Sequence, residues 1–167
     1  WMTKDIHPTS GSVSVSQKSG IGGGPYGLAS MGDFAYFAGM PTTSTSGLWK
    51  SDGTEAGTVQ VKEHLYPEWM VSDGNSLYFH NGSRELWMSD GTTSGTVLLK
   101  EFNQSLTTGG SILTNNLGVF ANGLLFFVVD DTNGRELWSS DGTTSGTQMV
   151  KDIRPGYPST QTYNPYD

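Results

Sequence analysis

Carboxylates flanked by hydroxyls and amides are where this chain could do chemistry. The segment Asp130-Asp131-Thr132-Asn133-Gly134 is rich in oxygen, and Asp130, Asp131 and Asn133 are candidate calcium ligands. It lacks the alternating spacing and terminal Glu of an EF-hand loop. The turn preferences of Asp, Asn and Gly give a hairpin loop as the simpler reading. Calcium is thus the one cofactor to test, and no other is expected. Asp52, Asp90 and Asp141 each stand in a Ser-Asp-Gly-Thr segment, where a carboxylate could hold a metal or move a proton. The three histidines, His7, His64 and His80, share no ligand-like spacing and are expected at the surface. With no Cys, thiolate metal sites, disulfides and a Cys nucleophile are excluded. No Gly-x-Ser-x-Gly elbow occurs, and Gly22-Gly23-Gly24 runs into Pro25, so it cannot open a phosphate-binding helix. Paired carboxylates for glycoside cleavage depend on the fold, not on spacing. Asn81-Gly82-Ser83 and Asn103-Gln104-Ser105 match the glycosylation acceptor pattern, and Thr42 to Ser46 could carry O-linked sugar; all three are read as plain solvated loops.

The acidic segments belong to a larger repetition. Leu48-Trp49-Lys50-Ser51-Asp52-Gly53-Thr54 is followed by Gly57-Thr58. Glu85-Leu86-Trp87-Met88-Ser89-Asp90-Gly91-Thr92 is followed by Gly95-Thr96, and Glu136-Leu137-Trp138-Ser139-Ser140-Asp141-Gly142-Thr143 by Gly146-Thr147. A phrase repeated at this scale marks stacked supersecondary units and is expected to be scaffold, since a catalytic centre is seldom needed once per unit. Asp52, Asp90 and Asp141 are expected to accept backbone hydrogen bonds in tight turns, with Thr54, Thr92 and Thr143 bonding locally. Trp49, Trp87 and Trp138 are expected in the core between units rather than as sugar-stacking platforms.

Four strands must position each phrase. An apolar segment (Leu28 to Met31, Trp69 to Ser72, Leu117 to Phe120) leads through a Gly- or Asn-containing turn into an aromatic one. The aromatic segments are Phe34 to Phe37, Leu77 to Phe79 and Leu124 to Phe127. A variable loop follows: Gly39 to Ser46, Asn81 to Arg84 and Asp130 to Arg135. Then come the Leu-Trp strand, the Asp-Gly turn, and a strand ending in Lys62, Lys100 or Lys151. Trp49, Trp87 and Trp138 are spaced by 38 and 51 residues, the length of a four-stranded propeller blade. The expected fold is all-β: a β-propeller-like array of three four-stranded antiparallel blades plus an extra N-terminal outer strand. The boundaries are an outer strand at 1–8, a Gly/Ser-rich connector at 9–26, blades at 27–65, 66–104 and 105–156, and a tail at 157–167.

Composition agrees with a turn-rich β protein. Gly numbers 23 of 167 residues and charged residues are only 15%. A net charge of -7 with nine basic residues argues against nucleic acid, which needs clustered Lys and Arg. No apolar run reaches the roughly 20 residues of a membrane span. The sequence starts at Trp1 and is expected to be a mature, excised or partial chain.

At the repeated phrase the chain resembles the bacterial ELWxxDGT-repeat family. The third unit carries the fullest match: Asn133-Gly134-Arg135-Glu136-Leu137-Trp138, Ser140 to Thr143, Gly146-Thr147, then Val150-Lys151-Asp152-Ile153-Arg154-Pro155-Gly156. The second unit keeps Arg84 to Trp87 but ends Lys100-Glu101-Phe102; the first has Gly47 for the Glu and ends Lys62-Glu63-His64. The resemblance implies a bacterial, secreted or surface-exposed propeller-like protein, often part of a longer polypeptide, with no general catalytic residues.

Lys4-Asp5-Ile6-His7-Pro8 repeats the ending of the third unit. Thr3, Lys4, Asp5 and Ile6 therefore read as a lone outer strand, free to assemble with a neighbour by strand addition. An unpaired edge is a liability unless something covers it. The expected function is a non-enzymatic extracellular structural or adhesion protein, a segment or subunit of a larger propeller or fibre. Its expected partners are other copies of itself or the rest of a longer chain, with surface glycans as a further class. The alternatives are a lectin-like carbohydrate-binding module and, behind it, a propeller-fold polysaccharide-active enzyme.

Overall fold

Each repeat closes its backbone hydrogen bonds within a four-stranded antiparallel meander. A computed structural model describes residues 26–42, 45–82, 84–102, 118–131 and 134–153. The first sheet consists of β1 (Tyr26–Met31), β2 (Phe34–Thr42), β3 (Thr45–Ser51) and β4 (Val59–Glu63). The second has β5 (Pro67–Ser72), β6 (Leu77–Asn81), β7 (Glu85–Ser89) and β8 (Val97–Glu101). The third has β9 (Val119–Ala121), β10 (Leu124–Asp131), β11 (Gly134–Ser140) and β12 (Gln148–Lys151). In each sheet the strands lie side by side in chain order, and the described residues contain no helix. The expected outer strand at Thr3 to Ile6, the connector 9–25, the segment 103–117 and the tail 157–167 lie outside the described residues.

Local chemistry explains the turns. Asn122 and Gly123 both have positive φ, 51° and 76°, the backbone of a two-residue hairpin turn whose twist matches the strands it joins. Between β5 and β6, the Asp73 Oδ1 accepts from the N–H of Asn75 and Ser76 at 2.8 and 2.7 Å. Two of the expected variable loops are shorter than the sequence suggested. Asp130 pairs with Arg135 and Asp131 with Gly134, and Thr42 pairs with Thr45, so the ladders extend almost to the hairpin ends. The polar residues there belong to strands because pairing satisfies backbone groups that a long loop would leave to solvent.

One irregularity recurs. Strand three shifts register against strand four between Leu48 and Trp49, Leu86 and Trp87, and Leu137 and Trp138. The extra residue on strand four is Val61, Leu99 or Val150, a bulge placed beside the Leu-Trp pair.

Alternation then gives each sheet two apolar faces. Met31, Tyr36, Leu48, Val61 and Leu65 pack with Leu77 and Phe79 in one cluster, joining the first and second sheets. Tyr78, Leu86, Leu99 and Phe102 pack with Leu125, Phe127, Val129 and Trp138 in another, joining the second and third. Leu77 and Phe79 of β6 face one cluster while Tyr78 faces the other, as period-two alternation requires. Burying side chains of this size contributes about 1.5–3 kcal/mol each.

Candidate functional site

The repeated phrase closes on itself in three copies of one hydrogen-bonded turn. In the second sheet, Asp90 Oδ1 accepts from the Thr92 N–H at 2.8 Å and from the Thr92 hydroxyl at 2.7 Å. The Thr92 Oγ1 in turn accepts from the Gly95 N–H at 3.0 Å. The Thr96 hydroxyl donates to the Thr92 carbonyl at 2.6 Å and lies 2.7 Å from the Ser89 Oγ. Because the single Thr96 proton goes to that carbonyl, Ser89 is the donor of the Ser–Thr bond. The Ser89 Oγ also accepts from the Gly91 N–H at 3.0 Å. The same bonds run through Ser51, Asp52, Thr54, Gly57 and Thr58, and through Ser140, Asp141, Thr143, Gly146 and Thr147.

The glycines have distinct jobs. Gly53, Gly91 and Gly142 take φ of 93°, 86° and 86°, which side chains resist. Gly57, Gly95 and Gly146 serve the carboxylate instead: a Cβ on any of them would overlap the Asp side chain of its own turn. Gly95→Ala is therefore expected to open the Asp90 turn and to lower the melting temperature more than Gly53→Ala, where only backbone strain is added. Thermal unfolding of the two variants checks the order.

The charge state follows from these bonds. The carboxyls of Asp52, Asp90 and Asp141 are held below the ordinary carboxylate value, first by the Thr hydroxyl and then by the Thr backbone N–H. Their turn energy is present above the unfolded pKa and is lost as pH falls through the lower folded values. Ser89 and Thr96 are fully buried, so their hydroxyls have no water to fall back on. Thr96→Val is expected to destabilise the protein by about 1–3 kcal/mol in urea titration, since it leaves the Ser89 donor and the Thr92 carbonyl unpaired.

Two of the three turns also receive the preceding sheet. The Tyr36 hydroxyl lies against Gly91, and the Tyr78 hydroxyl sits 2.8 Å from where a Gly142 Cβ would stand. Burial, then the nearby acidic charges (Asp90 for Tyr36; Asp73 and Asp141 for Tyr78), raises both phenol pKa values. Lys50 Nζ donates to the Gly91 carbonyl at 2.9 Å, and Lys62 Nζ to the Thr96 carbonyl at 2.8 Å. The Thr93 hydroxyl returns to the Val61 carbonyl at 2.8 Å. Lys62 also stands over the Trp87 ring at 5.5 Å, and Lys100 over the Trp138 ring at 5.1 Å. Each such contact contributes about 0.5–1 kcal/mol at exposed sites and more when desolvated.

Each tryptophan pairs across its sheet with a phenylalanine: Phe37 with Trp49, Phe79 with Trp87 and Phe127 with Trp138. The first two pairs stack at 6.4 Å between ring centres. Trp138 lies in the cluster between the second and third sheets, and Trp87 packs on the cluster between the first and second. Phe37 and Trp49 are buried but belong to neither cluster. The position before each Leu-Trp is used differently in every unit. Glu85 Oε2 accepts from the Trp87 indole N–H at 2.8 Å, and Glu136 Oε2 accepts from the Ile153 N–H at 2.6 Å. At Gly47 the Gln60 amide fills the space that a side chain would need.

Other expected positions fall elsewhere. Asp130 is in β10, where its Oδ2 accepts from Arg135 at 3.3 Å; Asn133 and the Asp131 side chain lie outside the described residues. No group of three potential metal ligands occurs among the described residues. His64 is exposed beside Glu63 at 3.8 Å, and His7 is outside the described residues. His80 corrects the expectation of a surface residue. It alternates with Phe79 onto the Tyr78 side of β6 and is fully buried, where Ala38 and Val128 stand in the other units. Its Nε2 has no hydrogen-bond partner, and burial pushes its pKa down to about 4.

Among the described residues no helix is long and apolar enough to cross a membrane. No protein-family profile matches this sequence, and no curated protein matches it. Among solved structures, a chain from a nidogen–laminin complex aligns with 76% of this chain at a TM-score of 0.47 and 11% identity. This chain covers 48% of that one.

Proposed function

We propose that this protein is a non-enzymatic extracellular structural or adhesion component, a segment or subunit of a larger propeller or fibre assembled through blade and strand contacts. One observation carries the reading: the Asp, Thr and Ser side chains of the repeated phrase bond within their own turns, and Leu48, Leu86, Trp87 and Trp138 pack between sheets. Hydrogen bonding turned inward on the phrase's own backbone supports a scaffold role over a substrate site. The test has two parts, labelling of intact source cells with a membrane-impermeant biotin reagent and electron microscopy of the purified material. The reading expects surface labelling and rings or filaments. An unlabelled intracellular protein, or turnover on a polysaccharide panel lost with one carboxylate, would overturn it.

A second reading, a carbohydrate-binding module, draws on β5. Trp69 is 44% exposed with φ of 49°, a backbone conformation unusual for a bulky residue, and Tyr66, the residue before the strand, is also exposed. Exposed aromatic rings offer a stacking face to sugars. A glycan array expects hits that vanish in Trp69→Ala; an array without hits ends this reading.

A further inference from the structure

The outward face of the third sheet repeats, position by position, a face that is covered twice within this chain. Cross-strand pairing fixes the equivalences. Phe126 stands where the first and second sheets have Tyr36 and Tyr78, and Leu137 where they have Leu48 and Leu86. Val150 is the bulge residue equivalent to Val61 and Leu99. Ile153, two residues past Lys151, corresponds to Phe102 past Lys100 and to Leu65 past Lys62. In the first two sheets these positions form the wall that the next sheet covers. Val61 and Leu99 are 4% and 2% exposed there, and Leu65 and Phe102 are 3% and 5% exposed. In the third sheet Val150 is 48% and Ile153 63% exposed, and Phe126 and Leu137 are only half-buried. Lys151 is exposed, whereas Lys62 and Lys100 each lie over the tryptophan of the following sheet.

We infer that this face is a docking surface for one further sheet of the same repeat, presenting its Phe–Trp pair and its Ser-Asp-Gly-Thr turn. The occupant's chemistry is read from the two interfaces already present. Its Trp ring lies under Lys151, and its Phe fills the space between Leu137, Val150 and Ile153. Its turn glycine meets Phe126, a ring without the hydroxyl that Tyr36 and Tyr78 bring to Gly91 and Gly142. This surface rests on the proposed array of stacked blades and names where that array continues.

The test appends a copy of residues 66–102, which carries such a face, to the C-terminus of the full chain and follows amide exchange in β12. Docking is expected to slow exchange at Val150 and Lys151 by about tenfold or more, as covered strands open less often. Ile153→Lys in the extended protein is expected to return exchange to the unextended rate. Exchange in β6 and β7 reports whether the original sheets remain folded. With those protected, unchanged exchange in β12 overturns the inference, whether or not the appended sheet has folded. Surface labelling and the imaging of assemblies are read separately, so failure here leaves the location and assembly readings standing.

Discussion

Phe79→Ala is expected to lower the free energy of unfolding by about 3–5 kcal/mol, the range for removing a large aromatic side chain from a packed core. Phe79 is fully buried, stacks on Trp87 and sits among residues of two sheets. The lost volume therefore cannot be refilled by one sheet relaxing alone. Phe126→Ala supplies the contrast. Phe126 is half-buried on the outward face of the third sheet, and its loss is expected to cost about 1 kcal/mol, nearer the centre of ordinary point changes. Urea unfolding of both variants measures the difference. Equal effects would mean that the sheet-to-sheet cluster is not where this fold is held together.

The second large effect is acid sensitivity through His80. Its folded pKa of about 4 lies below the ordinary value of 6.5, because burial opposes the charge. Above pH 6.5 both folded and unfolded chains hold the ring neutral, and the group is silent. As pH falls from 6.5 toward 4 the unfolded chain takes up a proton that the folded chain refuses, so stability drops throughout that window. The full loss is about 3 kcal/mol, and it levels off below pH 4, where both states are protonated. His80→Val, which places there the residue that Val128 supplies in the third sheet, is expected to flatten the stability curve between pH 7 and 4. Below that window a further decline is expected in both proteins, as Asp52, Asp90 and Asp141 are protonated out of their turns. A variant that keeps the full slope from pH 6.5 to 4 would place the titrating group elsewhere.

The strands were legible because their signals are local. Aromatic runs such as Leu77-Tyr78-Phe79, turn pairs such as Asn122-Gly123, and the Asp-Gly turn each depend on residues a few positions apart. The Asp–Thr bond could be anticipated for the same reason. The role of Gly95 was not, because a glycine that makes room for a carboxylate five residues earlier leaves the same letter as one that supplies a positive φ. Contacts between sheets were harder still. Tyr36 meeting Gly91 joins residues of different units, and only their recurrence at Tyr78 and Gly142 hints at a common partner. His80 departs from expectation because histidine suggests a polar surface, whereas its place on β6 is set by alternation with Phe79. Asp130 reads as a loop residue because Asp-Asp-Thr-Asn-Gly is turn-like in composition; the ladder pairing of Asp130 with Arg135 overrides that preference.

These effects share one physical basis. Each unit spends its polar side chains on a turn and its apolar ones on the sheets beside it, so an isolated unit has faces that require neighbours. The wall formed by Phe126, Leu137, Val150 and Ile153 is the part of that requirement left open among the described residues. Light scattering of the protein extracted from its source without denaturant tests the assembly account most directly. The account predicts a mass above the 18.0 kDa of this chain, as a longer polypeptide or a multiple of it. A stable, free particle of 18.0 kDa across the accessible concentration range would contradict it.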